Sequence, residues 1–256
     1  MKIYIFADME GISGVSGSMF VLADGSHYGL GRKYLTADIN ACAGACFEAG
    51  ADEVVVRDGH GGGYSVLWED LDPRVQLVQG ATPGKRFLSI EGSDGVILLG
   101  YHAMAGTRGA LLEHTYSSKS IQNMWMNGRR VGEFEIDTAI AGDYKIPVIM
   151  TSGCDKLCAQ AKEFLPSVIT CEVKKSTAQQ GALLLSAQKA RALIREKTVE
   201  AIAAMKEGKI KPVILSPVTI RREYIERMEP MLNLCSERTT ESTADTAEEA
   251  FFLNQK

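Results

Sequence analysis

The stretch Lys2-Ile-Tyr-Ile-Phe-Ala-Asp8 is a short apolar run that ends on an acidic residue. Three later runs, at residues 53–57, 95–100 and 146–151, have the same apolar and β-branched character. Runs of this length predict buried strands. Because helical stretches separate them, the alternation predicts a layered α/β fold.

Local signals in the first half of the chain add detail to this fold. Thr36 is a suitable N-cap for a helix over residues 37–49, and Gly50 is suited to end that helix. The dipeptide Asn127-Gly128 lies between apolar flanks, which predicts a β-hairpin. We therefore expect a mixed sheet with flanking helices rather than a purely parallel sheet.

The pattern changes after about residue 155. A helix is predicted before Pro166 and a strand over residues 167–173, followed by a long Ala-, Leu-, Lys- and Glu-rich helix from Thr177 to Lys206. Further short strands are predicted over residues 212–215 and 218–220. We therefore expect an α/β domain of residues 1–154 and a smaller C-terminal α+β domain of residues 155–256.

Composition excludes several classes of protein. The 256 residues carry a formal net charge of -4, whereas binding to a nucleic-acid backbone requires clustered Lys and Arg. The basic pairs Arg129-Arg130, Lys174-Lys175 and Arg221-Arg222 are interpreted as solvated loop and strand ends. No nucleic-acid partner is expected.

Targeting signals and cysteine motifs also favour an ordinary globular protein. No window approaches the roughly 18 to 20 apolar residues of a membrane span, and the N-terminus does not resemble a secretion signal. The six cysteines are spread over a chain of 256 residues with no Cys-x-x-Cys pair, so neither a disulfide framework nor a zinc ribbon is indicated. We expect a cytoplasmic protein with no membrane contact.

Candidate metal ligands follow the predicted strands. Asp8 ends the first strand, while His60 and His102 come shortly after the second and third. Since the carboxyl ends of parallel strands share one edge of a sheet, these side chains are expected to converge. Glu10 lies two residues from Asp8 and can share a cation with it. Asp58 is a plausible acceptor for an imidazole N–H.

This mixed nitrogen and oxygen set suits Zn²⁺ or another borderline divalent ion. A carboxylate can also bridge two metal ions, an arrangement that polarises a carbonyl and activates water. Each feature alone is common in structural roles. The glycine-rich run at residues 59–63 leaves a phosphate-binding loop open as an alternative, although the Lys-Ser/Thr ending of a P-loop is missing.

Several sequence blocks together resemble the zinc-dependent D-aminopeptidases, a family of self-compartmentalising metallopeptidases. The resemblance covers about the first 200 residues, and the ordered set is more specific than any single block. The blocks are Ala7-Asp-Met-Glu-Gly-Ile-Ser-Gly14, Asp58-Gly-His-Gly61, Leu99-Gly-Tyr-His-Ala103, Glu113-His-Thr-Tyr116, and Asn127-Gly128 followed by Val131-Gly-Glu133. From Ser216 onward the chain is expected to depart from the family and to stop short of its final helix.

The resemblance implies roles for individual residues. It implies two Zn²⁺ ions per subunit, bridged by Asp8. The remaining zinc ligands that it implies are Glu10, His60, His102 and Glu133. It also implies that His114 is a catalytic residue, acting as nucleophile or general acid/base without binding zinc. His27 matches no block and is interpreted as a loop residue.

The implied activity is hydrolysis of the N-terminal amide bond of short peptides, with D-amino acids such as D-Ala at the N-terminus. The family also implies a homo-oligomer of stacked pentameric rings that encloses the active sites. Two alternatives stay open. One is a metal-dependent phosphoesterase, disfavoured because no Arg or Lys is seen beside the candidate ligands; the other is a non-catalytic protein that binds zinc or peptides.

Overall fold

The computed structural model describes residues 1–225 and 238–253, which form eleven strands and five α-helices. The strands are β1 (Lys2–Ala7), β2 (Glu53–Asp58), β3 (Gln76–Val78), β4 (Gly95–Tyr101), β5 (Ile121–Met126), β6 (Arg129–Val131), β7 (Val148–Cys154), β8 (Ile169–Ala178), β9 (Gly181–Leu184), β10 (Val218–Tyr224) and β11 (Thr239–Ala244). The helices are α1 (Tyr28–Glu48), α2 (Glu133–Asp143), α3 (Asp155–Phe164), α4 (Ala187–Lys206) and α5 (Ala247–Phe252).

A seven-stranded sheet in the order β3-β2-β1-β4-β7-β8-β9 forms the centre of the protein. All neighbouring pairs are parallel except β8 and β9, which are antiparallel. Ala7, the last residue of β1, pairs with Asp58 of β2 and with Leu99 of β4. The carboxyl ends of these three strands therefore lie side by side at one edge of the sheet.

Both faces of this sheet are covered, because successive side chains of a strand point to opposite faces. In β1, Ile3 and Ile5 pack in an apolar cluster with residues of α1 and α4. Tyr4 and Phe6 pack in a second cluster with residues of α2, α3 and α5. The predicted α/β fold with a layered mixed sheet and flanking helices is thus confirmed.

A second sheet of four antiparallel strands has the order β11-β10-β5-β6. Its β5-β6 hairpin turns at Asn127 and Gly128, whose φ angles of 50° and 79° fit a type I′ turn. The predicted hairpin is confirmed, but it lies in this second sheet. The central sheet is mixed because of β9 instead.

The predicted domain boundary at residue 154 falls between β7 and α3. Strands from both sides of it share each sheet: β8 pairs with β7, and β10 pairs with β5. The division into domains 1–154 and 155–256 stays a prediction about folding units.

Two predicted helix boundaries are wrong. Helix α1 begins at Tyr28, and Thr36 lies inside it. The Thr36 hydroxyl donates to the carbonyl of Arg32 and accepts from the backbone N–H of Leu67, so it links the helix to a neighbouring loop. The end at Gly50, with a φ of 92°, is as predicted.

The predicted long helix begins ten residues late, at Ala187, because residues 177–184 contribute to the β8-β9 hairpin. No regular strand forms over residues 212–215. Within the described part of the chain, no helix combines the length and apolar character that a bilayer crossing requires. The cysteines there are free and buried, whereas Cys235 lies outside the described residues.

Candidate active site

The carboxyl edge of β1, β2 and β4 brings the predicted ligands together. Asp8 directly follows β1, His60 follows β2 by two residues, and His102 directly follows β4. Asp8 is 6% exposed and His102 is 2% exposed, so both groups are removed from bulk water. The convergence expected from the sequence is present in the structure.

Asp8 lies between two groups of side chains and presents one carboxylate oxygen to each. Its Oδ1 is 3.2 Å from Nδ1 of His60, and its Oδ2 is 3.4 Å from Nε2 of His102. On the first side, Oε2 of Glu10 is also 3.2 Å from Nδ1 of His60. On the second side, Oε1 of Glu133 is 3.2 Å from Nε2 of His102. The five predicted ligands thus form two clusters that share Asp8.

His114 joins the second cluster. Its Nε2 is 3.7 Å from Oε1 of Glu133, and its ring stacks on that of His102 with centroids 4.0 Å apart. Glu133 is the first residue of α2 and also accepts a 2.8 Å hydrogen bond from the backbone N–H of Tyr116. By geometry alone, His102, His114 and Glu133 could hold one ion, as could Asp8, Glu10 and His60.

Backbone carbonyls orient all three site histidines. Each ring has one nitrogen facing a carboxylate and the other close to a carbonyl oxygen. The carbonyl contacts are His60 Nε2 with Val21 at 2.9 Å, His102 Nδ1 with Ala103 at 3.0 Å, and His114 Nδ1 with Leu112 at 2.8 Å. Such contacts fix the tautomer of a metal-binding imidazole and aim its lone pair at the metal.

Asp58 does not have the predicted role beside His60. Its Oδ2 accepts hydrogen bonds from the backbone N–H groups of Ser65 and Val66, at 2.6 and 2.8 Å. Asp58 therefore folds the loop that carries His60, while Val21 supplies the acceptor for the imidazole.

The buried charges perturb one another strongly. Burial disfavours the charged ring of His60, but the carboxylates of Glu10 and Asp8 outweigh burial and raise its pKa to about 12. Burial also opposes the charge on His102, yet Glu133 and then Asp8 raise its pKa to about 10. For Glu133, burial is outweighed by His102, which lowers the pKa to about 2. Burial and the charge of Glu10 raise the pKa of Asp8 to about 6.

A divalent cation fits this arrangement. Each orienting carbonyl accepts a hydrogen bond from one ring nitrogen, so in the neutral imidazole the other nitrogen presents its lone pair to a carboxylate. Two such acceptors repel each other unless a proton or a cation lies between them. In addition, Oδ2 of Asp8 is buried and has no hydrogen-bond partner. The set of carboxylate oxygens and imidazole nitrogens is of the kind that binds zinc.

Close backbone packing sets the position of Asp8. Gly100 has a φ of 76°, and a Cβ there would lie 2.3 Å from the carbonyl oxygen of Asp8. At Gly11 a Cβ would lie 1.9 Å from the carbonyl oxygen of Tyr101. Since both contacts involve backbone, which cannot move aside cheaply, the loop after β1 can approach the end of β4 only through glycine.

Lys174 also fixes the loop after β1, which carries Asp8 and Glu10. It is 2% exposed, and its Nζ donates to the carbonyls of Glu10, Ile12 and Val15 at 2.6, 2.8 and 2.8 Å. Burial lowers its pKa to about 7. The interpretation of Lys174 as a solvated strand end is wrong, because the loop carbonyls replace water around its ammonium group.

A polar network behind Glu133 was not predicted from the sequence. Arg86 makes two 2.9 Å hydrogen bonds to Asp137, and its Nη2 is 3.7 Å from Oε2 of Glu133. The hydroxyl of Tyr101 also donates to Asp137, at 2.6 Å. Asp137 lies four residues after Glu133 on α2, so the i,i+4 spacing of two acids on one helix face was the available signal.

Comparison with known proteins agrees with a zinc-binding site of this geometry. A family model described as D-aminopeptidase matches residues 1–253 and so extends past Ser216, where the sequence predicts a departure from the family. The D-aminopeptidase of Bacillus subtilis (strain 168) is 36% identical over 217 residues, which are 83% of this chain and 77% of that protein.

A solved structure agrees with this match. The Zn-dependent D-aminopeptidase DppA from Bacillus subtilis, described as a self-compartmentalizing protease, has a TM-score of 0.89 and 29% identity to the chain. The similarity covers 98% of this chain and 94% of that one. The chain belongs to the D-aminopeptidase family, as its sequence blocks predict.

Proposed function

We propose that the protein is a dinuclear zinc aminopeptidase that removes the N-terminal residue of short peptides, with a preference for D-residues such as D-Ala. The main support is the position of Asp8, whose two carboxylate oxygens lie 3.2 and 3.4 Å from the nearest ring nitrogens of His60 and His102. A bridging carboxylate between two ions requires this arrangement. The zinc dependence of the similar DppA supports the choice of metal.

In this proposal Asp8 would be shared by the two ions. Glu10 and His60 would complete one set of ligands, and His102 and Glu133 would complete the other. When bound, a zinc pair would polarise the scissile carbonyl and make water acidic enough to act as a nucleophile near neutral pH. The protein's own contribution is to fix the ligands through backbone carbonyls and to exclude bulk water from the buried edge.

His114 is proposed to transfer protons at the scissile amide. The carbonyl of Leu112 holds its Nδ1 at 2.8 Å, which leaves Nε2 facing Glu133 and available to accept or donate a proton. Its side chain is 17% exposed, compared with 2% for His102, so a substrate can reach it more readily. Leu112 and Tyr116, on either side of it, have φ angles of 48° and 59°, a strain typical of functional loops.

The selectivity for N-terminal residues is proposed to come from the metal pair that Asp8, Glu10 and Glu133 would help to hold. The lone pair of a free α-amino group could bind one of these ions, whereas the nitrogen of an internal amide could not. The D-preference rests on the names of the similar proteins. A stacked pentameric ring assembly and a cytoplasmic location are further proposals; the description of DppA as self-compartmentalizing supports the oligomer.

Phosphoester hydrolysis is the second candidate, because the structure removes one sequence-based objection to it. Arg86, which lies far from the ligands in sequence, is 3.7 Å from Glu133 in space. Its guanidinium, however, already makes two hydrogen bonds to Asp137. A paired guanidinium is a poorer site for a phosphoryl group than a free one, which favours the peptidase.

The test measures release of amino acid from D-Ala-D-Ala and L-Ala-L-Ala before chelation, after chelation and after zinc is added back, with a generic phosphate monoester assayed in parallel. Zinc-restorable cleavage of the D-peptide is expected. Cleavage of the L-peptide alone would overturn the D-preference. Hydrolysis of the phosphate ester without peptide cleavage would replace the proposal with the second candidate, and no hydrolysis at all would favour a binding protein.

A further inference from the structure

A cavity of about 410 Å³ adjoins the candidate metal centre. Arg86 and Tyr116 belong to both: their side chains line the cavity, while Arg86 lies 3.7 Å from Glu133 and the backbone N–H of Tyr116 donates to Glu133. Among the described residues, the lining contains the cations of Arg57, Lys85, Arg86 and Arg222 and no carboxylate. The cavity is therefore lined by positive groups, next to an acidic centre.

Two of these cations have no acidic partner among residues 1–225 and 238–253. Arg222 is 2% exposed and donates to the carbonyls of Phe251 and Leu253. Arg57 donates from Nη1 to the carbonyls of Val78 and Gly80, at 3.4 and 2.8 Å, while its buried Nε has no partner. No carboxylate of the described chain lies within ion-pair distance of either guanidinium.

The other two cations differ, because both are neutralised within the protein. Arg86 pairs with Asp137 at 2.9 Å, and Lys85 lies 3.5 Å from Glu248. Burial lowers the pKa of Arg57 and of Arg222, yet guanidinium groups stay protonated in proteins. Arg222 is buried and Arg57 is half-buried, and neither guanidinium has a carboxylate of the described residues within ion-pair distance. Such positive charges are costly to desolvate, so this part of the cavity is suited to an anion.

Aromatic rings form another part of the cavity wall. The Tyr116 and Phe251 rings lie 4.7 Å apart, and the guanidinium of Arg222 lies 5.3 Å from the centre of the Phe251 ring. Guanidinium groups that stack on aromatic rings and keep free N–H groups recognise planar carboxylates well. An apolar wall beside them accommodates a small side chain or the methyl group of alanine.

We propose that this cavity binds the C-terminal carboxylate of the peptide substrate through Arg57 and Arg222. The proposal rests on the peptidase function and specifies its substrate as a short peptide with a free C-terminus. An extended peptide spans at most about 3.3 to 3.6 Å per residue. Because Arg86 and Tyr116 line the cavity and also contact Glu133, only a few residues fit between the scissile bond and the carboxylate site.

The experiment compares kcat/KM for D-Ala peptides of two, three and four residues, each as the free acid and as the C-terminal amide, followed by loss of the intact peptide. At one peptide length at least, kcat/KM for the acid is expected to exceed kcat/KM for the amide by about tenfold or more. A factor of this size corresponds to one charge-assisted hydrogen bond. Arg57→Met and Arg222→Met are each expected to lower the ratio of kcat/KM for the acid to that for the amide to about 1. The change should come mainly from a higher KM for the acid.

Arg221→Met is the matched control, since Arg221 is the exposed neighbour on the opposite face of β10 and its guanidinium packs on Trp125. It should keep the wild-type ratio. The ratio of acid to amide is measured within one protein and so does not depend on how much of each variant folds. If Arg222→Met yields no folded protein, Arg57→Met still decides the matter.

Equal kcat/KM for acids and amides at every length in the wild type would overturn the proposal and leave the peptidase function intact. A normal acid preference that survives both Arg57→Met and Arg222→Met would likewise overturn it. Absence of cleavage of all six peptides would instead contradict the peptidase function itself.

Discussion

Zinc binding should release about two protons per chain from the site histidines between pH 7 and pH 8, in addition to the proton that a metal-bound water loses. In the metal-free protein, carboxylates outweigh the effect of burial and raise the pKa of His60 to about 12 and that of His102 to about 10, so both rings carry a proton. A metal-bound imidazole is neutral, so each ring must lose that proton. Asp8, with a pKa near 6, and Glu133, near 2, are already ionised and contribute little.

The size of the effect follows from linkage. The protons leave when zinc binds, so a higher pH favours the zinc-bound form. Each released proton changes the apparent binding constant by about tenfold per pH unit, or about 1.4 kcal/mol. For two protons, the product of the two zinc binding constants should rise about 100-fold from pH 7 to pH 8. Titration calorimetry in buffers of different ionisation enthalpy counts the protons directly.

Two variants sharpen this measurement. His60→Ala should release about one proton fewer, because only His102 then titrates. His27→Ala is the matched control, since His27 contacts Ser26 at the surface and takes no part in the site; its proton release should equal that of the wild type. Release close to zero in the wild type would contradict the prediction, because it would mean that zinc displaces no protons from these imidazoles.

Four further substitutions test the supporting structure. Gly100→Ala should destabilise the protein by about 2 kcal/mol or more in thermal unfolding, because it adds strain at positive φ and a backbone clash; an unchanged melting temperature would count against this. Lys174→Met should lower the free energy of unfolding by about 3 to 5 kcal/mol in denaturant titrations, since three loop carbonyls lose a charged donor, whereas the exposed control Lys175→Met should change it by less than about 0.5 kcal/mol. His114→Gln should reduce kcat by about 10²- to 10⁴-fold with zinc content unchanged; lost zinc would make His114 a ligand instead. Burial raises the pKa of Asp38 from 3.8 to about 6, so the folded state holds a proton there that the unfolded chain has lost. As the pH rises from 3.8 to 6, unfolding titrations should show the wild type losing about 3 kcal/mol more stability than Asp38→Asn, and an equal loss in both proteins would contradict this.

The positions of Asp8, His60 and His102 were predictable because one rule of α/β sheets covers them. Each follows a parallel strand, and the three strands are neighbours in the sheet. Glu133 is different, since it begins a helix after a hairpin and an acid in a first turn is common for other reasons. Only the family resemblance singled it out, and the fold then brings it within 3.2 Å of His102.

Buried charges were the main features that sequence interpretation missed. The basic pair Arg221-Arg222 predicts a solvated strand end, and this prediction is wrong for Arg222. Period-2 alternation in β10 places it on the same face as Val218 and Ile220, which are fully buried. That alternation was a usable signal. Lys174 had no comparable signal, because its side chain is buried next to buried Val173 where the pairing of β7 and β8 shifts register.

The start of α1 shows how tertiary contacts override local capping signals. Thr36 has the residue type of an N-cap, yet its hydroxyl bonds the N–H of Leu67, which lies 31 residues away in the chain. The actual cap, His27, makes no side-chain hydrogen bond to the helix. Since neither fact is visible in the local sequence, the start of α1 at Tyr28 could not be predicted without knowledge of its packing.

The proposed function depends on two metal ions that share Asp8. A titration of activity with zinc tests this requirement directly. Zinc is added stepwise to the chelated protein while hydrolysis of D-Ala-D-Ala is followed against bound zinc per chain. Activity is expected to reach its plateau only at two zinc ions per chain. A plateau at one zinc ion per chain, with no further change at the second, would show that a single ion suffices and that Asp8 has no bridging role in catalysis.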